Sequence, residues 1–176
     1  MAVEHLTACH FSGILWKRGE KMKIASMALT EMSGHDAGRL LLQQLYREQT
    51  GKDLPPILTT DRGKPYFTEG DFHFSISHTK SRVFCVLSTK PVGIDAEETD
   101  REIDPKLADK ILSATEKARY DGAEDKDATL LKLWVQKEAY AKLTGRGWGS
   151  YLYETDFDPA DAEETDGHYV AVLEEK

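Results

Sequence analysis

The sequence predicts an α+β fold built from two similar halves. Apolar residues change between helical and alternating spacing in the order helix, strands, helix, strands, and each change of period marks a change of secondary structure. The halves divide near residues 89–92, which gives a first half of residues 1–90 and a second half of residues 91–176. A chain of 176 residues, 40% of them hydrophobic, is long enough to bury a sizeable core.

The first half begins its regular structure with a helix. Apolar side chains between His35 and Gln49 recur at helical spacing, and Gly51 follows as a stop signal. The next segment, LPPILTTDRGKPYF at residues 54–67, is rich in proline and glycine. It therefore predicts loop or turn with at most one short strand.

Three extended segments follow this loop. Apolar and polar residues alternate in FHFSIS, residues 72–77, which is the period of a strand with one apolar face. A short polar turn at residues 79–81 and the apolar run RVFCVLS at residues 82–88 complete a predicted hairpin. The stretch VGIDAE, residues 92–97, predicts a third strand.

The second half predicts two helices and then short strands. LADKILSATEKARY, residues 107–120, and TLLKLWVQKEAYAKLTG, residues 129–145, have helical patterns and are separated by a charged loop. Gly145 marks the end of the second helix. The chain then returns to short strands and finishes with HYVAVLEE, residues 168–175.

Composition excludes several classes of function. Residues 91–176 hold 11 Lys and Arg against 22 Asp and Glu, so a general nucleic-acid binder is not expected, because phosphate neutralisation needs clustered basic residues. No window reaches the roughly 18 apolar residues that span a bilayer, and the first 15 residues lack the pattern of a signal peptide. We therefore expect a cytoplasmic protein with reduced thiols at Cys9 and Cys85, the latter in the core.

Two carboxylates at the end of the third strand pose a chemical question. Asp95 and Glu97 occupy alternate positions, so they project from the same face of a strand. Two anions at this spacing are unfavourable unless a cation or solvent lies between them. Either a hard divalent metal ion or solvent could occupy this position between the two carboxylates.

A second charged group lies on the last predicted helix. Glu138 and Lys142 are four residues apart and share a helix face, which is compatible with an ordinary surface ion pair. Trp134 precedes Glu138 by one turn, so this face is expected to be partly covered. Together with Asp95 and Glu97, Glu138 could supply three oxygen ligands to Mg²⁺. Lys137 and Lys142 could then bind the remaining phosphate charge.

With these residues in place, the chain resembles the 4′-phosphopantetheinyl transferases, specifically the longer surfactin-type branch. Four blocks and one shorter segment occur in the family's order: GKPYF (63–67), FSISHT (74–79), VGIDAE (92–97), LSATE (112–116) and WVQKEAYAKLTGRG (134–147). The resemblance implies two similar α/β halves in a pseudo-twofold arrangement and a monomer with its site in the cleft between them. It also implies transfer of the phosphopantetheinyl arm of coenzyme A to a serine of an apo carrier protein, with release of 3′,5′-ADP.

The resemblance assigns a role to each matched residue. Three of them would hold Mg²⁺ on the pyrophosphate: Asp95, Glu97 and Glu138. Lys64 and Pro65 would border the adenine of coenzyme A. Ser77 and His78 would contact the nucleotide phosphates, with His78 near the 3′-phosphate. Lys137 and Lys142 would contact the remaining phosphates, and Arg39 would add a further phosphate contact. Those that would take part in catalysis are Glu138, Lys142 and Glu116.

Several alternatives stay open at this level. Ser113 and Glu116 also form a capping box for a short helix, so Glu116 is either structural or catalytic. The general base is one of Glu116, Glu138 or a metal-bound water. The middle residue of the acidic motif is Ala96, smaller than the aliphatic residue often found there. Rival functions are a Mg²⁺-dependent nuclease and a binding module for coenzyme A or carrier protein that has lost its chemistry.

Overall fold

The computed structural model describes residues 16–17 and 22–176. Cys9, whose thiol the sequence predicts to be reduced, lies outside the described residues.

Strands and helices follow one another in the predicted order, except that two strands precede the first helix, where no strand was predicted. The strands are β1 (Trp16–Lys17), β2 (Met22–Ala28), β3 (Ile57–Thr59), β4 (Pro65–Phe67), β5 (His73–His78), β6 (Arg82–Ser88), β7 (Val92–Glu98), β8 (Glu163–Thr165) and β9 (His168–Glu174). The α-helices are α1 (Gly34–Thr50), α2 (Ala108–Ile111), α3 (Ala114–Asp121) and α4 (Lys126–Thr144). The predicted α+β class is confirmed.

The first half packs α1 on a four-stranded sheet of order β1-β2-β6-β5. Ser33 caps the start of α1 by accepting a hydrogen bond from the backbone of Asp36, and Gly51 ends the helix in the left-handed region at φ 71°. The buried face of the helix packs on β5 and β6. This core includes Leu41, Leu42, Leu45, Phe74, Val83, Cys85 and Leu87.

The proline-rich segment contains two strands rather than one at most. β3 and β4 pair antiparallel, and Gly63, at φ 83°, supplies the turn between them. The Lys64 ammonium crosses to the second half and donates to the Leu143 carbonyl at 2.5 Å. This contact spans 79 residues of sequence, so local patterning could not predict it.

The second half packs α4 on a three-stranded sheet of order β7-β9-β8. Gly93 of β7 allows the close approach, because a Cβ at this position would lie 2.0 Å from the Ala139 carbonyl oxygen of α4. Asp125 caps the start of α4, which begins at Lys126 and ends at Thr144, with Gly145 as its C-cap. The helix therefore starts three residues before the predicted boundary, inside the segment expected to be loop.

The single helix predicted over residues 107–120 is wrong. A short 3₁₀ turn and α2 end before Leu112, and α3 starts afresh after Ser113. Ser113 and Glu116 form both hydrogen bonds of a capping box. The helix breaks here because Leu112 and Ser113 adopt extended backbone conformations. Two 3₁₀ turns also precede the final strands, where short strands were expected.

The two sheets share one core where β5 and β6 meet β7. Ser75 Oγ accepts a hydrogen bond from the Ile94 amide, and Ser77 Oγ accepts one from the Ala96 amide. The shared apolar cluster contains Met22, Ile24, Phe84 and Val86 from the first half and Val92, Ile94, Ala96 and Val170 from the second. Among the described residues, no helix is long and apolar enough to cross a membrane.

Candidate active site

Asp95 lies in the middle of β7, facing β5 and α4, and is only 6% exposed. Its Oδ1 accepts hydrogen bonds from Ser77 Oγ at 2.8 Å and from Lys142 Nζ at 2.6 Å. Its Oδ2 is buried and has no hydrogen-bond partner within the described ranges. A buried carboxylate oxygen without a donor is costly, so this atom suits a bound cation.

Glu97 and Glu138 are each held by a tryptophan. Trp134 Nε1 donates to Glu97 Oε1 at 3.4 Å, and Trp148 Nε1 donates to Glu138 Oε1 at 2.8 Å. The two indoles are stacked, with centroids 5.0 Å apart and an interplanar angle of 23°. Arg101 forms an ion pair with the same Glu97 oxygen and lies over the Trp134 ring.

The three carboxylates thus share a pattern of hydrogen bonding. In each, one oxygen is engaged by protein donors, while no bond from the described residues reaches the other. Carboxylates that are oriented by hydrogen bonds to one oxygen, with the other oxygen left for a ligand, are typical of sites for hard cations. As they stand, however, no three acidic, histidine or cysteine side chains of the described chain converge closely enough to hold a metal ion.

Burial raises the pKa of Glu138, and the nearby negative charge of Asp95 raises it further. The hydrogen bond from Trp148 and the charges of Lys142 and Arg101 act in the opposite direction. An extra cation beside Asp95 and Glu138 would relieve their mutual repulsion. The chemistry of this donor set therefore fits a divalent ion.

A cavity of about 310 Å³ opens beside Glu138, between the β3–β4 hairpin and the end of α4. We call it the cationic cavity because three basic residues line it, namely Arg62, Lys64 and Lys142. Burial lowers the pKa of Lys64. Its other walls include Pro65, Phe74, Ser75, Ile76, Ala141 and Trp148.

A second, larger cavity of about 780 Å³ lies beside Glu97. We call it the acidic cavity, and it is lined by His78, Thr79, Lys80, Glu97, Glu98, Asp100, Arg101 and Glu102. The His78 ring packs against Gly34 at the first turn of α1, where a Cβ would lie 2.6 Å from the ring. Because helix N-termini attract anions, this placement suits a phosphate near His78.

Lys137 and Glu116 lie away from both cavities. Both side chains are fully buried and form an ion pair of 2.8 Å. Lys137 Nζ also donates to the carbonyls of Leu152 and Thr155. Glu116 accepts from the amides of Ser113 and Phe157. This geometry joins α3 and α4 to the loop after α4. Neither side chain is accessible to a ligand, as the predicted roles of Lys137 in phosphate binding and of Glu116 in catalysis would require.

Arg39 is also separated from the other predicted residues. It is exposed on α1 and borders a shallow recess with Asp36, Leu40, Gln43, Asp53 and Leu54. Ser77 is buried behind Asp95 and lines neither cavity. The structure therefore brings together Lys64, Pro65, Glu138 and Lys142 around one cavity, and His78 and Glu97 around the other, with Asp95 between them.

Sequence reasoning missed Arg62, Arg101 and Trp148. Arg62 immediately precedes the GKPYF block, and Trp148 immediately follows the last block, so both lay just outside the matched motifs. Arg101 is four residues beyond Glu97, but on a loop rather than a helix, where this spacing carries no signal. Only proximity to the motifs could have found the first two.

Comparisons with known proteins point to one superfamily. The model of the 4′-phosphopantetheinyl transferase superfamily matches residues 91–172. The match covers nearly all of the second half of the chain, which is therefore similar to this superfamily. The predicted resemblance to the surfactin-type branch is likewise confirmed by curated relatives.

Three such relatives illustrate the extent of the similarity. The 4′-phosphopantetheinyl transferase psf-1 of Bacillus pumilus is 35% identical over 62% of this chain and 49% of its own length. Sfp of Bacillus subtilis strain 168 is 37% identical over 62% of this chain and 51% of its own. The transferase gsp of Aneurinibacillus migulanus is 38% identical over 48% and 36%, respectively. The chain thus spans about half the length, or less, of the curated relatives it matches.

Proposed function

We propose that this protein transfers the 4′-phosphopantetheine arm of coenzyme A to a serine of an apo carrier protein, with Mg²⁺ as cofactor and 3′,5′-ADP as the second product. The observation that carries this function is the cationic cavity beside Glu138. Its basic residues and apolar walls suit a nucleotide that carries phosphates. The superfamily match over residues 91–172 and the names of the relatives support the same function.

Coenzyme A would bind across both cavities. Lys64 and Pro65 would border the adenine, while Lys142 and Arg62 would contact phosphates. Lys142 already donates to Asp95 and reaches the Ile76 carbonyl at 3.4 Å, so it can bridge phosphate and protein. His78, at the N-terminal turn of α1, would receive the 3′-phosphate.

Asp95, Glu97 and Glu138 would hold Mg²⁺. When bound, the ion would neutralise charge on the pyrophosphate and on the bisphosphate that leaves. The buried Asp95 Oδ2, which no donor of the described chain reaches, supports this assignment. Ser77 and Lys142 would keep the opposite oxygen of Asp95 in place.

In the reaction, the carrier serine oxygen forms a bond to the β-phosphorus of coenzyme A, and the bond from this phosphorus to the bridging oxygen breaks. The serine hydroxyl must lose its proton as the new bond forms. Among the candidate side chains, Glu138 is the better base because it lines the cationic cavity, whereas Glu116 lies in the interior. Glu116 has both oxygens engaged and is fully buried, so we assign it a structural role.

We further propose that the protein acts as a monomer whose halves, residues 1–90 and 91–176, are related by an approximate twofold axis. Each half places a long helix on an antiparallel sheet, α1 in the first and α4 in the second. The site would then lie in the cleft between them. Size-exclusion chromatography with light scattering tests whether the protein is a monomer.

Intact-protein mass spectrometry of a panel of apo carrier proteins, incubated with coenzyme A, tests the transfer. We expect a gain of one phosphopantetheinyl arm that is lost with EDTA and restored by Mg²⁺. Glu138→Ala should lower the rate by about 100-fold or more, the usual effect of removing an acid–base group. Glu69→Ala, an exposed carboxylate that lines neither cavity, is the matched control and should leave the rate unchanged.

No gain on any carrier, despite tight binding of coenzyme A, would contradict the transferase and favour a binding module without chemistry. Cleavage of DNA or RNA under the same conditions would favour the nuclease.

A further inference from the structure

The tryptophan that follows α4 makes a contact for which the proposed transfer does not by itself account. Trp148 lies between Gly147, at φ 68°, and Gly149, and its ring stacks on Trp134. Its indole N–H donates to Glu138 Oε1 at 2.8 Å, although the side chain is 41% exposed. An exposed tryptophan in a glycine-rich loop gains little from burial alone, so the stacking and this hydrogen bond are what fix its orientation.

The hydrogen bond determines which way the Glu138 carboxylate faces. Oε1 is occupied by the indole, which leaves Oε2 as the oxygen that can bind a ligand. Trp134 does the same for Glu97, although its contact is longer, at 3.4 Å. Because the two indoles stack, the orientations of Glu97 and Glu138 are coupled through a single aromatic pair.

We propose that Trp148 is a positioning residue for the metal site, which acts by orienting Glu138 rather than by touching the ion or the substrate. This inference rests on the proposed function only in that Glu138 is taken as a metal ligand. Removing a group that hydrogen-bonds a metal ligand typically lowers metal affinity or activity by about 10- to 100-fold. Trp148 also borders the cationic cavity, so its two possible roles, as wall and as positioning residue, must be separated.

Trp148→Phe separates them, because phenylalanine keeps an aromatic ring against Trp134 but has no N–H to donate. The direct readout is binding of Mn²⁺ alone, and of Mn²⁺ with coenzyme A present, followed by loss of the electron paramagnetic resonance signal of the free ion. We expect Trp148→Phe to weaken Mn²⁺ binding by about 10-fold or more. Coenzyme A binding in EDTA and the unfolding midpoint should stay close to wild type.

Two further variants serve as the positive and the negative control for this result. Glu138→Gln should weaken Mn²⁺ binding at least as much as Trp148→Phe. Tyr153→Phe alters another exposed aromatic residue after α4 and should bind Mn²⁺ like wild type. The unfolding midpoint of each variant shows whether it is folded, and the loop position of Trp148 makes a folding defect unexpected.

Three outcomes would overturn the inference. The first is a wild-type Mn²⁺ affinity in Trp148→Phe, and the second is a loss of metal-free coenzyme A binding in this variant as large as its loss of Mn²⁺ binding, which would make Trp148 a wall of the cavity. The third is that the wild type binds no Mn²⁺, with or without coenzyme A. The proposed transfer is measured independently, as mass gain on the carrier. A protein whose Mn²⁺ binding depends on Glu138 and Trp148, but which modifies no carrier, would refute the transfer and leave this inference standing.

Discussion

Lys137 and Glu138 are adjacent in sequence but lie in different environments. Successive residues on a helix point about 100° apart, so one side chain can enter the interior while the next faces a cavity. Lys137 is fully buried against Glu116, whereas Glu138 lines the cationic cavity. A lysine next to Glu138 in the sequence is therefore not placed in the same cavity by that position alone.

The buried pair yields a prediction about stability. Glu116→Gln should lower the free energy of unfolding by about 3–5 kcal/mol, because it leaves the Lys137 charge buried without its partner. Urea unfolding followed by circular dichroism measures this loss. The double variant Glu116→Gln with Lys137→Met should recover part of it, since the unpaired charge is then gone.

An exposed ion pair provides the matched control. Asp53→Asn removes one carboxylate from a surface pair with Arg47, whose partners are 80% and 61% exposed, and should cost about 0.5 kcal/mol or less. An equally small effect of Glu116→Gln would show that water reaches Lys137 and that the pair does not hold the loop.

At the scale of elements, the contact of α4 with β7 decides the geometry of the site. α4 carries Glu138 and Lys142, β7 carries Asp95 and Glu97, and the two elements touch backbone to backbone at Gly93. A one-residue shift between them would separate Lys142 from Asp95. The site is therefore set by how closely a helix lies on a strand.

Gly93→Ala should separate α4 from β7. The new Cβ would lie 2.0 Å from the Ala139 carbonyl oxygen and 2.5 Å from the Leu143 amide nitrogen, and backbone cannot move aside as a flexible side chain can. We expect a loss of about 3 kcal/mol or more in unfolding free energy, at or above the usual range for overpacking. Thermal and urea unfolding measure it.

Gly122→Ala is the corresponding control. Its backbone is right-handed at φ −87°, and a Cβ would meet its nearest neighbour at an ordinary 3.6 Å. The variant should unfold close to wild type. Comparable losses at both glycines would mean that the approach of α4 to β7 is not tight.

For the whole molecule, the two halves depend on one another through their shared core. The face of β7 covers apolar residues of β2 and β6, and the serines of β5 satisfy two amides of β7. The superfamily match covers only residues 91–172, yet this segment lacks half of the core on which it packs. Exposed apolar faces of this kind lead to aggregation or loss of structure.

A fragment of residues 91–176 should therefore not fold alone. We expect poor dispersion of its amide resonances, binding of a hydrophobic dye, and recovery of cooperative unfolding when residues 1–90 are added. The intact chain is the reference for each measurement. Cooperative two-state unfolding of the isolated fragment would show instead that the halves are independent domains.

The sequence by itself determined the local structure and much of the chemistry. Alternating and helical periods placed α1, β5, β6, β7 and α4, because these patterns reflect burial on one face of each element. The motif blocks singled out the carboxylates and lysines as candidates and carried the resemblance to the superfamily whose model matches residues 91–172. The capping box at Ser113 was visible, although its effect in dividing the predicted helix was not.

Only the tertiary structure decided which of these residues share a site. It placed Lys64 beside Glu138 and Lys142, put Lys137 and Glu116 in the interior, left Arg39 on another surface, and brought Trp148 onto Glu138. Each of these outcomes depends on contacts between elements far apart in the chain or on the direction of one side chain. Periodicity reports whether a face is buried, but it carries no information about which distant residue covers it.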